Sequence, residues 1–176
     1  TVLDVPRGSH RITISVIGAK AVLIRPFFSS PKQAAEPMVS ITPIEAARSV
    51  TVSEGEKLIP YYSVLRGKPV KFRIVGPTRL ELTTRLDFVA TMRGVQAYRI
   101  SVSKGGQRIR VAELKTTKAT TAAYTDLKDR TASKTDRIVL PLGDGTHEIV
   151  VELLEPKTGS AEVHARIPQP SVGREE

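Results

Sequence analysis

The sequence predicts an all-β protein, most simply an antiparallel β-sandwich, and three observations carry the prediction. Short segments that alternate apolar and polar residues recur at roughly 8 to 12 residue spacing. They are bounded by turn-forming residues, the 176-residue chain holding 12 Gly and 12 Pro. No stretch sustains the helical period. Aromatic residues make up only 5% of the chain and Trp is absent, so the core must rest on Val, Ile and Leu, whose shapes favour strands. A closed β-barrel is the alternative arrangement of the same strands.

Taken in order, Ile12, Ile14 and Val16 alternate with Arg11, Thr13 and Ser15, the period of a strand with one wet face. Gly18-Ala19-Lys20 reads as a turn and residues 21–24 as a return strand ended by Pro26, which cannot donate to a ladder. Residues 1–28 therefore form a β-hairpin, either a small module or an extension of the main sheet. Residues 29–43, with Pro31, Pro37 and Pro43, read as a proline-rich linker containing the short extended piece Met38-Val39-Ser40-Ile41. A weak helical turn is conceivable over 44–48.

The main domain spans 44–167. Strands are predicted over 49–53 and 59–65, then over 70–75, where Val70, Phe72 and Ile74 alternate with Lys71 and Arg73. Gly76-Pro77 should break that strand, and the next runs over 79–88 with a bend or bulge near Thr84-Arg85. Lys104-Gly105-Gly106-Gln107 is a hairpin turn joining strands 98–102 and 108–114, with Arg108 and Arg110 on one face and Ile109 and Val111 on the other. Residues 115–135 are rich in Thr, Ala, Lys and Asp, with Tyr124 and Leu127 the only large apolar side chains. That segment reads as a long functional loop. Strands 137–142, 147–154 and 160–167 complete the set, and the tail 168–176 has the composition of disorder.

Gly143-Asp144-Gly145-Thr146-His147 reads as a turn feeding a strand. Its echo is Gly8-Ser9-His10 at the head of the first strand. In both, the imidazole is placed to hydrogen-bond the turn backbone. The segment from Pro141 to Val151, and more loosely that from Pro6 to Ile14, resembles the strand-leading motif of PEGA-type bacterial surface β-domains. The resemblance covers about a dozen residues per copy and lacks the Pro-Glu-Gly-Ala signature. It implies a non-catalytic extracytoplasmic module of a larger envelope protein and carries over no functional residue.

With no cysteine, a disulfide, a thiolate metal site and a Cys nucleophile are excluded. No apolar run approaches the roughly 18 residues of a membrane-spanning helix. The chain begins at Thr1, as a processed or excised protein would. Catalytic signatures are missing: there is no GxSxG, P-loop or HExxH. Glu81 with Asp87, and Glu148 with Glu152, could be written as carboxylate pairs, but their spacing does not set them apart from surface residues. His164 is expected to face solvent or a neighbouring strand. Asp126, Asp129 and Asp136 do not match a calcium loop and are opposed by Lys128, Arg130 and Lys134.

The net charge of +9 is concentrated in the middle of the chain, where residues 63–137 hold 17 basic and 6 acidic side chains. On the strands these occupy the non-core phase. Lys71, Arg73, Arg79, Arg99, Arg108 and Arg110, joined by Lys115, Lys118, Lys128 and Arg130 of the loop, are the predicted contact set for an anionic polymer. The bland reading of the same residues is a solvated face that protects sheet edges. Aromatics are not interleaved with these cations, which disfavours nucleic acid. The expectation is a non-enzymatic binding or assembly module of a bacterial envelope protein, in the periplasm or at the cell surface. It would need no cofactor or metal and would contact an acidic polysaccharide or a protein partner. A carbohydrate-active or other hydrolytic enzyme, and a nucleic-acid binding protein, are the alternatives.

Overall fold

The computed structural model describes residues 36–169, together with Thr13, Ser15, Ile17 and Gly18. The N-terminal hairpin, the echoed Gly8-Ser9-His10 turn and residues 170–176 of the tail otherwise lie outside the described residues. The chain divides into two compact units, Thr1–Ala35 and Glu36–Glu176, and the sheet belongs wholly to the second.

Ten strands and no helix are found among the described residues: β1 Met38–Ile41, β2 Ser49–Glu54, β3 Lys57–Leu65, β4 Val70–Phe88, β5 Gln96–Lys104, β6 Gln107–Thr116, β7 Ala122–Tyr124, β8 Thr131–Ala132, β9 Asp136–Glu155 and β10 Ser160–Pro168. Every ladder is antiparallel, in the order β6-β5-β9-β4-β10-β3-β2-β7, with β1 on β10 and β8 on β4. The sheet does not close into a barrel.

Two long strands make this one sheet a sandwich. β4 and β9 pair from Val70↔Val151 to Gly76↔Gly145, and again from Thr78↔Leu142 to Thr84↔Asp136. Between these registers Pro77 stands opposite two residues, Gly143 and Asp144, the two-against-one count of a β-bulge, which bends and twists a ladder. Before this corner β5 and β6 extend the sheet, forming one layer; after it β10, β3, β2 and β7 form the other. A single apolar cluster draws on both layers, with Phe72, Ile74, Ile100, Val102 and Val151 from the first and Leu80, Leu82, Leu86, Val163 and Ala165 from the second. Each large aliphatic or aromatic side chain fully buried there contributes about 1.5–3 kcal/mol.

The sequence reading is corrected at the same place. Gly76-Pro77 does not end a strand and Gly143-Asp144-Gly145 does not begin one, because each lies inside a long strand and together they form the corner. The glycines are needed for it. Gly145 has φ +97°, and a Cβ on Gly76 would sit 1.9 Å from the Gly143 carbonyl oxygen. Through its Nε2–H, His147 donates to that same carbonyl at 2.9 Å, the turn-binding role expected of it. The bend expected near Thr84-Arg85 is absent, since β4 runs in constant register with β9 from Thr78 to Thr84. Met38–Ile41, inside the stretch read as linker, is a strand on β10. Ile44 to Arg48 forms no helical turn; its Glu45 bridges to Lys71. At Gly105 and Gly106 (φ +55° and +81°) the β5–β6 turn takes the two left-handed residues of a type I′ hairpin.

Candidate functional site

The ten basic residues named from the sequence fall in four places. Lys71, Arg73, Arg99, Arg108 and Lys115 occupy the outer face of the first layer, but carboxylates are threaded between them. Arg73 stands opposite Glu148, Lys71 Nζ is 2.7 Å from Glu45, and Arg99 reaches Glu155 at 3.2 Å and Glu113 at 3.6 Å. The hydrogen bond to Glu45 raises the Lys71 pKa. A bulge at Ile109 pairs Arg108 with Ser103 and Arg110 with Val102, neighbours on β5 whose side chains point to opposite faces. Arg108 and Arg110 therefore do not share a face as the uninterrupted alternation implied. Arg79, beyond the corner, is paired with Glu36 at 3.1 Å. Lys118, Lys128 and Arg130 belong to the segment between β6 and β9, where Arg130 pairs with Asp129 and Lys118 lies 5.9 Å from the centre of the Phe88 ring.

A denser arrangement lies on the other face of the second layer. After the corner, β4 turns Leu80, Leu82, Leu86 and Phe88 to the core and Glu81, Thr83, Arg85 and Asp87 away from it. On β10, Ala161, Val163 and Ala165 face the core, leaving Ser160, Glu162, His164 and Arg166 on the polar side. That side is not open to water. Val50, Val52, Tyr61 and Ala122 build a second small core over it, with Tyr124 and Leu127 packed alongside. Residues read as a long loop are thus pinned: β7 pairs with β2, β8 with β4, and Ser133 N–H donates to the Leu86 carbonyl at 3.1 Å.

Burial forces the polar groups beneath to bond one another. Arg85, 1% exposed, donates through Nε to Tyr61 Oη at 3.3 Å, through Nη1 to the Ser133 carbonyl at 2.6 Å and through Nη2 to Glu54 at 3.1 Å. Glu81 accepts from Arg137 and Arg166. Glu162 accepts from Ser63 Oγ at 2.8 Å, and Asp87 accepts from Tyr124 and Ser160. Burial raises the Tyr124 pKa, with the Asp87 charge adding to it. Glu81 and Asp87, each 2% exposed, are therefore buried and bonded, in contrast to the surface carboxylates the sequence implied.

His164 is also buried, and of the two positions expected of it, solvent or a neighbouring strand, it takes the second, turned to β3 and β1. Its Nδ1 is 2.7 Å from the Pro60 carbonyl, which can only accept, so the proton sits on Nδ1 and Nε2 accepts from Ser40 Oγ at 3.2 Å. Desolvation lowers its pKa, so the native state resists the proton that the unfolded chain takes up near pH 6.5. This contribution to stability is complete above that pH and is lost as pH falls through the depressed native value. The midpoint of thermal unfolding should accordingly drop on acidification from pH 7 to 5. His164→Asn should flatten that drop, and an unchanged slope in the variant would assign it to other groups.

The polar face opens at one end into a groove of about 260 Å³, lined by Glu54, Thr83, Thr135, Arg137, His164 and Arg166 among others. A second depression of about 290 Å³, which shares Glu54 and Thr135, adds Thr120, Thr121 and Lys134. Across the two, Arg85, Lys134, Arg137 and Arg166 face Glu54 and Glu81, four cations against two carboxylates. Arg137, with 60% of its side chain exposed, keeps donors beyond those given to Glu81. The remaining carboxylates of the face are held under the covering segment, so among the described residues no free pair flanks the groove as glycosidic hydrolysis needs. Asp126, Asp129 and Asp136 do not converge: they bond the Thr51 amide, Arg130 and Tyr98 respectively. Among the described residues no group of acidic or His side chains is arranged to hold a metal ion.

No family model and no curated protein matches this chain. Solved structures similar to it include a family 35 carbohydrate-binding module from Clostridium thermocellum, at 12% identity and TM-score 0.46 over 74% of this chain and 97% of that one. The CBM36-1 domain of a multidomain xylanase from the hindgut metagenome of Trinervitermes trinervoides gives 9% identity and TM-score 0.45 over 77% and 98%. The C-terminal CBM6 of LamC from Zobellia galactanivorans gives 13% and 0.42 over 76% and 100%.

Proposed function

We propose that this chain is a non-catalytic binding module that takes an acidic polysaccharide in the groove beside Arg137, in an extracytoplasmic protein of a bacterial envelope. The observation that carries the reading is the composition of the groove. It is open and polar, lined by hydroxyl, imidazole and guanidinium groups with cations in excess. Hydroxyls and an imidazole suit the hydroxyl groups of a sugar, and a guanidinium with spare donors suits its carboxylate. Acid–base chemistry on such a ligand finds no support, since the carboxylates nearest the groove are committed to Arg85, Arg137 and Arg166. The exposed cations of β6, Arg108, Arg110 and Lys115, would serve as secondary contacts; among the described residues none has a carboxylate within ion-pair distance.

Affinity electrophoresis through gels carrying polygalacturonate or a neutral glucan tests this reading. Retardation by the acidic polymer alone is expected, weakening with added salt. Thr135→Trp, which fills the groove without touching an ion pair, and Arg137→Ala should each weaken it about tenfold, as the loss of one charge-assisted contact does. Retardation abolished instead by Arg108→Glu with Arg110→Glu would move the contact to the β6 edge, and none by either polymer would overturn the proposal.

A further inference from the structure

The segment 117–135 crosses the polar face as a strap. Its ends are tied together by Ala119 N–H to the Ala132 carbonyl and Lys134 N–H to the Thr117 carbonyl, each at 2.9 Å. Its span is held by the β7–β2 and β8–β4 pairings, by Thr125 N–H on the Thr51 carbonyl at 3.0 Å, by Ser133 Oγ accepting from Leu86 N–H at 2.8 Å, and by Tyr124 Oη on Asp87. Beneath the last of these lie two carboxyl groups almost without access to water, Asp87 at 2% and Glu162 at 0% exposure. They stand on adjacent strands and on the same face, Glu162 opposite Arg85 and Asp87 two residues further along β4, so a proton on one of them spares the pair a second buried charge.

No buried cation is committed to that pair. The ionisable groups facing it are Arg48 ahead of β2, Glu54 on β2, Tyr61 on β3, Arg85 on β4 and Tyr124 on β7. Of these, Arg85 is spent on Glu54, Tyr61 and Ser133. Arg48 approaches Glu162 only to 3.8 Å, with 44% of its side chain in solvent. The other contacts are neutral hydroxyls, Ser63 and Ser160 as well as Tyr124. Two full charges so placed cannot both be held.

We propose that the Asp87–Glu162 pair, sharing one proton, is a latch for the 117–135 strap, and that removing the proton in alkali releases the strap while the sandwich stays folded. Deprotonation puts a second negative charge beside the Tyr124 oxygen at the point where the strap is fastened. Since Thr135 walls the groove and Thr120, Thr121 and Lys134 wall the depression that shares Glu54 and Thr135 with it, release would also reshape both, although the latch stands whatever the groove binds. The direction of titration agrees with the geometry. Burial first, and the Asp87 charge second, push the Glu162 pKa up to about 9. Native protein thus keeps a proton that the unfolded chain gives up near the ordinary carboxylate value, and the resulting stabilisation falls as pH rises between the two.

Hydrogen–deuterium exchange of the whole chain at pH 7 to 10.5, corrected for the intrinsic base dependence of amide exchange, provides the test. Protection of strap amides such as Ala119, Thr125 and Ser133 should fall about tenfold or more through the upper part of that range, while Phe72 and Ile149 in the β4–β9 ladder keep theirs. Glu162→Gln, which still accepts from Ser63 and can donate to Asp87, should hold the strap closed at every pH. Asp87→Asn, lacking the neighbouring charge, should move the step at least one pH unit lower. A flat profile in the unmodified protein, the same step in Glu162→Gln, or an unmoved step in Asp87→Asn would each overturn the latch.

Discussion

Gly76→Ala should be among the most damaging single-methyl changes in the domain, costing about 3 kcal/mol or more, measured as the shift of the urea midpoint at constant m-value. A Cβ at this site would lie 1.9 Å from the Gly143 carbonyl oxygen and 3.3 Å from His147 Nε2. Neither neighbour can yield cheaply. The carbonyl belongs to the bulged strand and is held by His147, and the imidazole has no other hydrogen-bond partner among the described residues. Relief would require β4 and β9 to separate where both layers depend on them. Gly143→Ala is the control: a Cβ there meets nothing within 4 Å, so its cost should stay below about 1 kcal/mol. Equal losses in the two variants would show that the corner tolerates displacement.

Arg85→Met should cost roughly 3 kcal/mol, and Arg85→Ala more, because the smaller side chain adds a cavity. The guanidinium is the hub between β2, β3, β4 and the strap. Without it the Ser133 carbonyl loses its 2.6 Å donor, while Glu54, with 42% of its side chain exposed, can recover water. Most of the cost therefore falls on the strap side. Methionine retains the buried aliphatic stem and loses only the guanidinium, which lies over the Tyr61 ring at 5.6 Å, so the gap between the two variants separates the packing of the stem from the bonding of the guanidinium. Chemical denaturation of both provides the measurement, and a loss below about 1 kcal/mol in Arg85→Ala would mean that water replaces the guanidinium.

Much of the sheet was legible in the alternation itself. Phe72 with Ile74, Ile100 with Val102 and Ala161 with Val163 announce which face is buried, and the Gly105-Gly106 turn announces the β5–β6 hairpin. The corner was not, since Gly-Pro and Gly-Asp-Gly carry the same signal whether the chain reverses or merely bends. Only the partner strand decides between them, and it lies some seventy residues away. The polar face was hidden for a related reason. Glu81, Arg85, Asp87, Glu162 and His164 stand in the phase that alternation assigns to water, and what removes them from water is a segment that shows no period. The one available sign was that Tyr124 and Leu127, alone among small polar residues, needed something to cover. The basic residues were legible as a count but not as a surface, because the rows of Glu113, Glu148 and Glu155 that interleave with them depend on register.

The corner where β4 and β9 bend together also bears on how the domain is made. Each of these strands belongs to both layers, so neither layer can be completed before the other has begun. The ladder that joins Val70 to Val151 closes a loop that holds β5 to β8, and its entropy must be spent before the long pairing repays it. Assembly should therefore be slow and all-or-none, with a transition state in which β4 has already found β9. Cutting the chain at the β5–β6 hairpin and adding the pieces back as two fragments should restore the fold only when both are present, because the seam between the layers runs along the strands and not between them.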